Sequence, residues 1–125
     1  MRIATHKRTL QIPEVAEHSY HAYYKFYCYL QPEHWKEGTT NAAVSDTLRA
    51  MGIPCSVGSS ANLWEEPVFE TQKDLVRLGE CANAKRLWPL QLMFVCHPTI
   101  DEGTMAKMAA VIRGVMLDFT KDESK

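Results

Sequence analysis

The chain of 125 residues has little of what would name a function at sight. It has no surplus of one charge: 14 Lys and Arg stand against 15 Asp and Glu, a formal net charge of -1. Nothing in that balance calls for nucleic acid or an anionic membrane as the main partner. No apolar run reaches the ~20 residues that a bilayer demands, and Arg2, His6, Lys7 and Arg8 lead into no signal-peptide core. Cys28, Cys55, Cys81 and Cys96 form no C-x-x-C pair, and each sits beside apolar residues, as structural thiols do. There is no dinucleotide fingerprint, no Ser-His-Asp spacing and no carboxylate cluster, so the residues by themselves name no reaction. These absences predict a soluble protein of a reducing cytoplasm.

What is present is ordinary for a folded domain: 46% hydrophobic and 23% charged residues, on a chain long enough to fold without metal or disulfide staples. Residues 1–19 are mixed and polar, with Pro13 as a breaker, and read as a lead-in arm. From Tyr20 to Leu30 the pattern alternates, with Ala22, Tyr24, Phe26, Cys28 and Leu30 on one face and Tyr23, Lys25, Tyr27 and Tyr29 on the other, which predicts the first strand. Gln31-Pro32-Glu33 ends it. Thr39 and Thr40 offer a capping hydroxyl to a helix over Asn41 to Met51, in which Val44, Leu48 and Met51 share a face and Gly52 supplies the left-handed end.

Ile53 to Val57 reads as a short second strand, followed by the hydroxyl-rich loop Gly58 to Asn62. Apolar residues from Leu63 to Phe69 are expected to pin the far side of that loop to the core. Leu75 to Leu87 predicts two short helical pieces interrupted at Gly79. Leu90 to Cys96, bounded by Pro89 and Pro98, suits a central strand buried on both faces. Thr99 and Glu102 have capping-box spacing ahead of a helix whose Met105, Met108, Ile112, Val115, Met116 and Phe119 line one side. A charged tail closes the chain over 121–125. The order predicts an α+β fold, a small and largely antiparallel sheet with helices packed on it, formed by residues 20–120.

Several residues invite chemistry and have blander readings. His18 and His21 with Cys28 suggest metal, but three-residue spacing into a strand sends the imidazoles to opposite faces, so surface or packed histidines are preferred. Lys25 has the aromatic neighbours of a Schiff-base lysine, yet reads as a solvent-side lysine whose stem covers Tyr23 and Tyr27. The same tyrosines could stack RNA bases, against which the chain offers no basic stripe. Gly58-Ser59-Ser60-Ala61-Asn62 could hold a phosphate or a sugar through its amide and hydroxyls, although it lacks the length and lysine of a P-loop. His97, at a strand end, is a candidate hydrogen-bond donor or acid/base beside its commoner structural role.

Three stretches add what spacing does not. His21-Ala22-Tyr23-Tyr24-Lys25-Phe26-Tyr27, Gly52-Ile53-Pro54-Cys55-Ser56-Val57-Gly58-Ser59 and Leu92-Met93-Phe94-Val95-Cys96-His97-Pro98-Thr99, with Leu63-Trp64 and Phe69 between them, resemble in order and spacing the C-terminal small domain of the DegT/DnrJ/StrS sugar aminotransferases. The resemblance spans most of Arg2 to Phe119. It implies the small domain of an aspartate aminotransferase-like fold, in a dimeric enzyme that uses pyridoxal phosphate to move an amino group from glutamate to a keto-sugar nucleotide.

The cofactor lysine, the aspartate at the pyridine nitrogen and most phosphate ligands of that family lie in its large domain, so the resemblance gives this chain no cofactor of its own and lends Lys25 no role. It places Ser59, Ser60, Asn62 and Trp64 on the sugar-nucleotide side, with His97 as a neighbour. Ser60 stands where cysteine is usual, Asn62 where glutamate is, Trp64 where tyrosine is, and Asn41-Ala42 where an Arg-Asp pair is. Three readings follow: a domain that works beside a separate large domain, a free-standing binding module, and a remnant released from catalysis. A homodimer is expected, through the aromatic strand face or the last helix, because a severed domain exposes apolar surface.

Overall fold

The computed structural model describes residues 9–59, 63, 66–72, 74, 79 and 81–121. Strands β1 (Leu10–Gln11), β2 (Lys25–Leu30), β3 (Cys55–Ser56) and β4 (Gln91–Val95) form one sheet in the order β1-β2-β4-β3, every pair antiparallel. Helices α1 (Asn41–Ala50), α2 (Pro67–Glu70), α3 (Ala82–Leu87) and α4 (Glu102–Phe119) complete the α+β fold. No described helix is long and apolar enough to cross a membrane.

The register sorts the side chains. Cys28 faces Leu92, Phe26 faces Phe94 and Cys55 faces Phe94, so one side of the sheet carries Leu10, Phe26, Cys28, Leu30, Cys55, Leu92 and Phe94. That side packs into a core with Val44 and Leu48 of α1 and Val115 and Met116 of α4. The other side carries Lys25, Tyr27, Tyr29, Gln91, Met93 and Val95, half-buried or exposed. The expectation that Leu90 to Cys96 is buried on both faces is therefore corrected. An apolar run marks a strand but not the number of layers over it; the core gathers on one side, and Val95 and Cys96 are exposed.

Helix α1 follows its sequence signals closely. Thr40 Oγ1 accepts from Ala43 N at 3.1 Å, closing one of the orphan donors of the first turn. At the other end Gly52 takes φ +80, and Ile53 N donates to Leu48 O (2.9 Å) and Gly52 N to Arg49 O (2.9 Å). This is the Schellman arrangement, with Ile53 buried against the end of the helix. Met51, expected on the apolar face, falls past the last turn and is exposed.

Four further expectations shift. Leu10–Gln11, read as part of the lead-in arm, is an edge strand: Leu10 pairs with Leu30, and Trp35 Nε1 donates to Thr9 O at 3.0 Å. The first long strand begins at Lys25 rather than Tyr20. Tyr23 turns to φ +47 with its N–H donated to His21 Nδ1 (2.8 Å), which breaks the alternation and leaves Tyr20 and Tyr24 in solvent. Helix α4 is capped by Asp101, which accepts from Thr104 N at 2.7 Å, because Thr99 Oγ1 is engaged with His97 Nδ1 at 2.7 Å. Leu63 and Val68 are exposed, so neither pins the 58–62 loop to the core. Of the helical pieces expected over 75–87, α3 is the described one; 75–78 and the tail residues 122–125 lie outside the described residues.

The Asp101 cap carries a pH dependence. The Thr104 backbone N–H first, then the Thr104 hydroxyl, hold the Asp101 carboxyl below its ordinary value. A folded value below the unfolded one contributes stability that is present above the ordinary carboxylate value of ~3.9 and is lost as pH falls through the folded value. Asp101→Asn should keep the capping bond and flatten the acid side of a plot of urea midpoint against pH. An unchanged slope would show that other carboxyls set it.

The cysteines divide by burial. Cys28 and Cys55 lie inside, Cys81 and Cys96 outside, so the last two depart from the structural role expected of them. Burial, and secondarily the neighbouring Cys55, push the Cys28 thiol up to about 12, and burial raises Cys55 as well. Since the thiolate is the reactive form, two thiols should react with an aromatic disulfide reagent under native conditions and two more on unfolding. Four equally fast reactions would contradict the packing.

Candidate functional site

The site builds from the end of β3 and the start of β4. Past Ser56 the chain turns at Gly58, which takes φ +87; Gly58 N donates to Ser56 Oγ at 3.2 Å. A Cβ at Gly58 would stand 1.8 Å from Gln91 Nε2 and 3.1 Å from Tyr27 Cε1, so only glycine lets the turn lie this close to the sheet. Gln91 Nε2 donates to Val57 O (3.1 Å) and Trp88 Nε1 to Ser59 O (3.1 Å), tying the loop to the segment that enters β4.

That segment is itself fixed from the covered side. Asn41, buried at the start of α1, donates through Nδ2 to Trp88 O (2.9 Å) and Gln91 O (3.2 Å). The amide thus adds a second donor to Trp88 O, which also accepts from Gln91 N, and bonds Gln91 O at the entry to β4. The result is a cleft of ≈ 260 Å³ on the open side of the sheet, lined by Tyr27, Tyr29, Ser59, Ala84, Leu87, Trp88 and Gln91.

Of the residues expected at a site, Ser59 is on this cleft. Ser60, Asn62 and Trp64 lie outside the described residues. His97 is not brought beside Ser59. Strand β3 runs antiparallel to β4, with Cys55 opposite Phe94 and Ser56 opposite Met93, so Ser59 comes level with the start of β4 while His97 follows its end. Six residues of extended chain part Gln91 from His97, roughly 20 Å along the strand. His97 is exposed and bonded to Thr99.

Trp88 and Gln91 were missed by sequence reasoning. Tyr27 and Tyr29 carried a signal in their alternation, whereas Trp88 and Gln91 reach the cleft through strand register and the Gly58 turn, which no local pattern encodes.

A second cleft, of ≈ 370 Å³, lies between the 32–39 loop and Pro89-Leu90, with Lys36 and Lys121 at its rim. Both lysines are engaged, Lys36 Nζ with Asp118 O (2.7 Å) and Lys121 Nζ with Glu33 O (2.9 Å). The first places a cation at the C-terminus of α4, where the helix dipole favours it.

Pyridoxal phosphate, which the sequence resemblance brings in, needs a free amine, an acid at its ring nitrogen and a cradle for its phosphate. The described residues do not fit it. Among the described residues no charged side chain lines the cleft at Ser59, the lysines of the second cleft hold backbone carbonyls, and Lys25 Nζ sits 5.4 Å from the centre of the exposed Tyr24 ring. Among the described residues no group of three His, Cys, Asp or Glu side chains could hold a metal ion.

Comparison with known proteins sets the fold in context. No family model and no curated protein matches the chain. Among solved structures, an aminotransferase from Psychrobacter cryohalolentis superposes with a TM-score of 0.77 and 28% sequence identity, over 90% of this chain and 30% of that one. The chain therefore spans about a third of that aminotransferase's length. Its antiparallel sheet and helices form an aminotransferase-like fold of the size of one small domain within such a chain.

Proposed function

We propose that the chain serves as the small domain of a nucleotide-sugar aminotransferase of the DegT/DnrJ/StrS type, catalytically silent alone and acting against a large domain that carries pyridoxal phosphate. The observation that carries this reading is the superposition of nearly the whole chain on under a third of an aminotransferase. The lack of fit to the cofactor among the described residues supports a role in closing over the substrate rather than in the chemistry. In this reading Ser59, with Ser60, Asn62 and Trp64, faces the sugar nucleotide, and His97 follows the far end of β4 from Ser59.

Incubation with pyridoxal phosphate should leave the cofactor's free-aldehyde spectrum unchanged, with nothing fixed by borohydride. A stoichiometric adduct abolished by Lys25→Ala would overturn the reading. Mixed with a separately expressed, cofactor-bearing large domain of this aminotransferase type, the chain should restore glutamate-dependent amination of a keto-sugar nucleotide.

A second reading, a free-standing homo-oligomeric binding module in the cytoplasm, draws on the core and cleft that the chain forms from its own residues. Both readings leave apolar surface for a partner: Tyr24 and Val95 on the sheet side, Met105 and Leu117 on α4. A homodimer is accordingly proposed, and sedimentation showing monomer alone at about tens of micromolar, where weak dimers form, would count against it.

A further inference from the structure

Tyr23 alone among the described non-glycine residues takes a positive φ, +47, a conformation that a bulky L side chain keeps only where its surroundings hold it there. What holds it is His21. Nδ1 of that ring accepts the Tyr23 N–H at 2.8 Å, and the two rings lie with centroids 4.3 Å apart. Tyr23 in turn approaches Phe26, centroid to centroid, at 5.8 Å, and Phe26 packs against the core from its place opposite Phe94. One imidazole nitrogen thereby sets the bend ahead of β2 and, through it, the ring that stands beside the first core-side residue of that strand.

This bond dictates a protonation state. A backbone N–H only donates, so Nδ1 must offer a lone pair, and the neutral ring carries its proton on Nε2. A proton added at Nδ1 turns two donors toward each other, and the bond is lost. His97, past the end of β4, behaves otherwise. Its Nδ1 lies 2.7 Å from Thr99 Oγ1 and 3.3 Å from Thr99 N. Because a hydroxyl both donates and accepts, a protonated His97 reverses the shorter contact and keeps it.

Among the described residues, Glu17, His18, Tyr20, Tyr24 and Lys25 are the other titratable groups that flank His21 along the chain, and Lys25 Nζ lies over the Tyr24 ring. His97 comes from the neighbouring strand, two residues past Val95, which pairs with Lys25. No described ion pair joins His21 to any of them.

We propose that His21 is a pH-sensitive latch. Neutral, it holds Tyr23 in the left-handed bend against Phe26; protonated, it releases the bend and uncovers that end of β2. Acidification from about pH 8 to about pH 5 crosses the range in which imidazole side chains gain their proton. Tyr20 and Tyr24, exposed on either side of the bend, are carried with it.

The test is a nuclear magnetic resonance pH titration of the full 125-residue chain, labelled with nitrogen-15, over that range. At the alkaline end His21 should show an unprotonated Nδ1 and a proton on Nε2. As His21 titrates, the Tyr23 amide should shift in the same step and lose protection from hydrogen exchange by about fivefold, the equilibrium factor of one ordinary hydrogen bond. The Phe26 resonances should follow, and the Thr99 amide should keep its protection within about twofold. His21→Phe, which retains a ring and lacks the acceptor, should show the acid-form Tyr23 and Phe26 resonances at every pH. His97→Phe should leave the Tyr23 step in place.

A proton on Nδ1 of His21 at the alkaline end, or a Tyr23 amide that stays still while His21 titrates, overturns the proposal. So does a Tyr23 step that survives in His21→Phe or vanishes in His97→Phe. Each readout is taken on the chain alone, so none depends on its role beside a large domain.

Discussion

Gly58→Ala is expected to lower the unfolding free energy by about 2–3 kcal/mol and to close the cleft at Ser59. Two effects combine. At φ +87 an L side chain meets its own backbone, a cost of about 1–2 kcal/mol. The new Cβ would also stand 1.8 Å from Gln91 Nε2, so Gln91 must swing away and give up its bond to Val57 O, about 1 kcal/mol more. Chemical denaturation checks the first effect, with the midpoint falling while the slope holds. The Trp88 indole resonance checks the second, because Trp88 donates to Ser59 O just past the altered turn. A variant as stable as the parent would mean that the 57–59 turn takes another path.

Leu92→Ala should cost about 2–5 kcal/mol, the largest effect expected of one residue here. Leu92 is 0% exposed, on the central strand, paired with Cys28 of β2 and part of the cluster that includes Val44, Leu48 and Met116. Truncation removes the transfer free energy of three buried carbons and leaves a cavity that strands on both sides hold open. Met93→Ala, one residue along on the open side, should cost clearly less, since Met93 is half-buried and borders solvent. Comparison of the two urea midpoints tests whether the sheet is covered on one side. Equal losses would indicate a second covering layer over the tyrosine side.

The contrast between these neighbours marks where sequence reading reached its limit. Alternation identified β2 and an apolar run identified β4, and Thr40 with Gly52 bracketed α1 within a residue, because capping and left-handed turns are decided by atoms a few positions away. The same local logic failed at α4. Thr99 and Asp101 are both competent caps, and the choice fell to Asp101 once Thr99 bonded His97. It also failed at Leu10–Gln11, since two residues carry no period and the strand exists through its pairing with Leu30 and Tyr29.

The candidate site divides the same way. Ser59 was legible from the composition of its loop, and the Tyr27 and Tyr29 side of β2 from its alternation. Trp88 and Gln91 were not, because what aims them is the antiparallel register of β2 and β4, the Gly58 turn and the buried amide of Asn41 holding two carbonyls of the β4 entry. His97 was grouped with the loop on order in the chain, and strand direction carried it to the other end of the sheet.

By itself, then, the sequence settled an α+β domain with near-neutral charge, a largely antiparallel sheet and the caps of α1, since these follow from periodicity, capping and composition, all interactions of short range. Folding in three dimensions settled which side of the sheet is covered, which cysteines are buried, and which aromatic, amide and hydroxyl groups meet at one cleft. Those outcomes depend on contacts between residues tens of positions apart, whose geometry no local pattern contains.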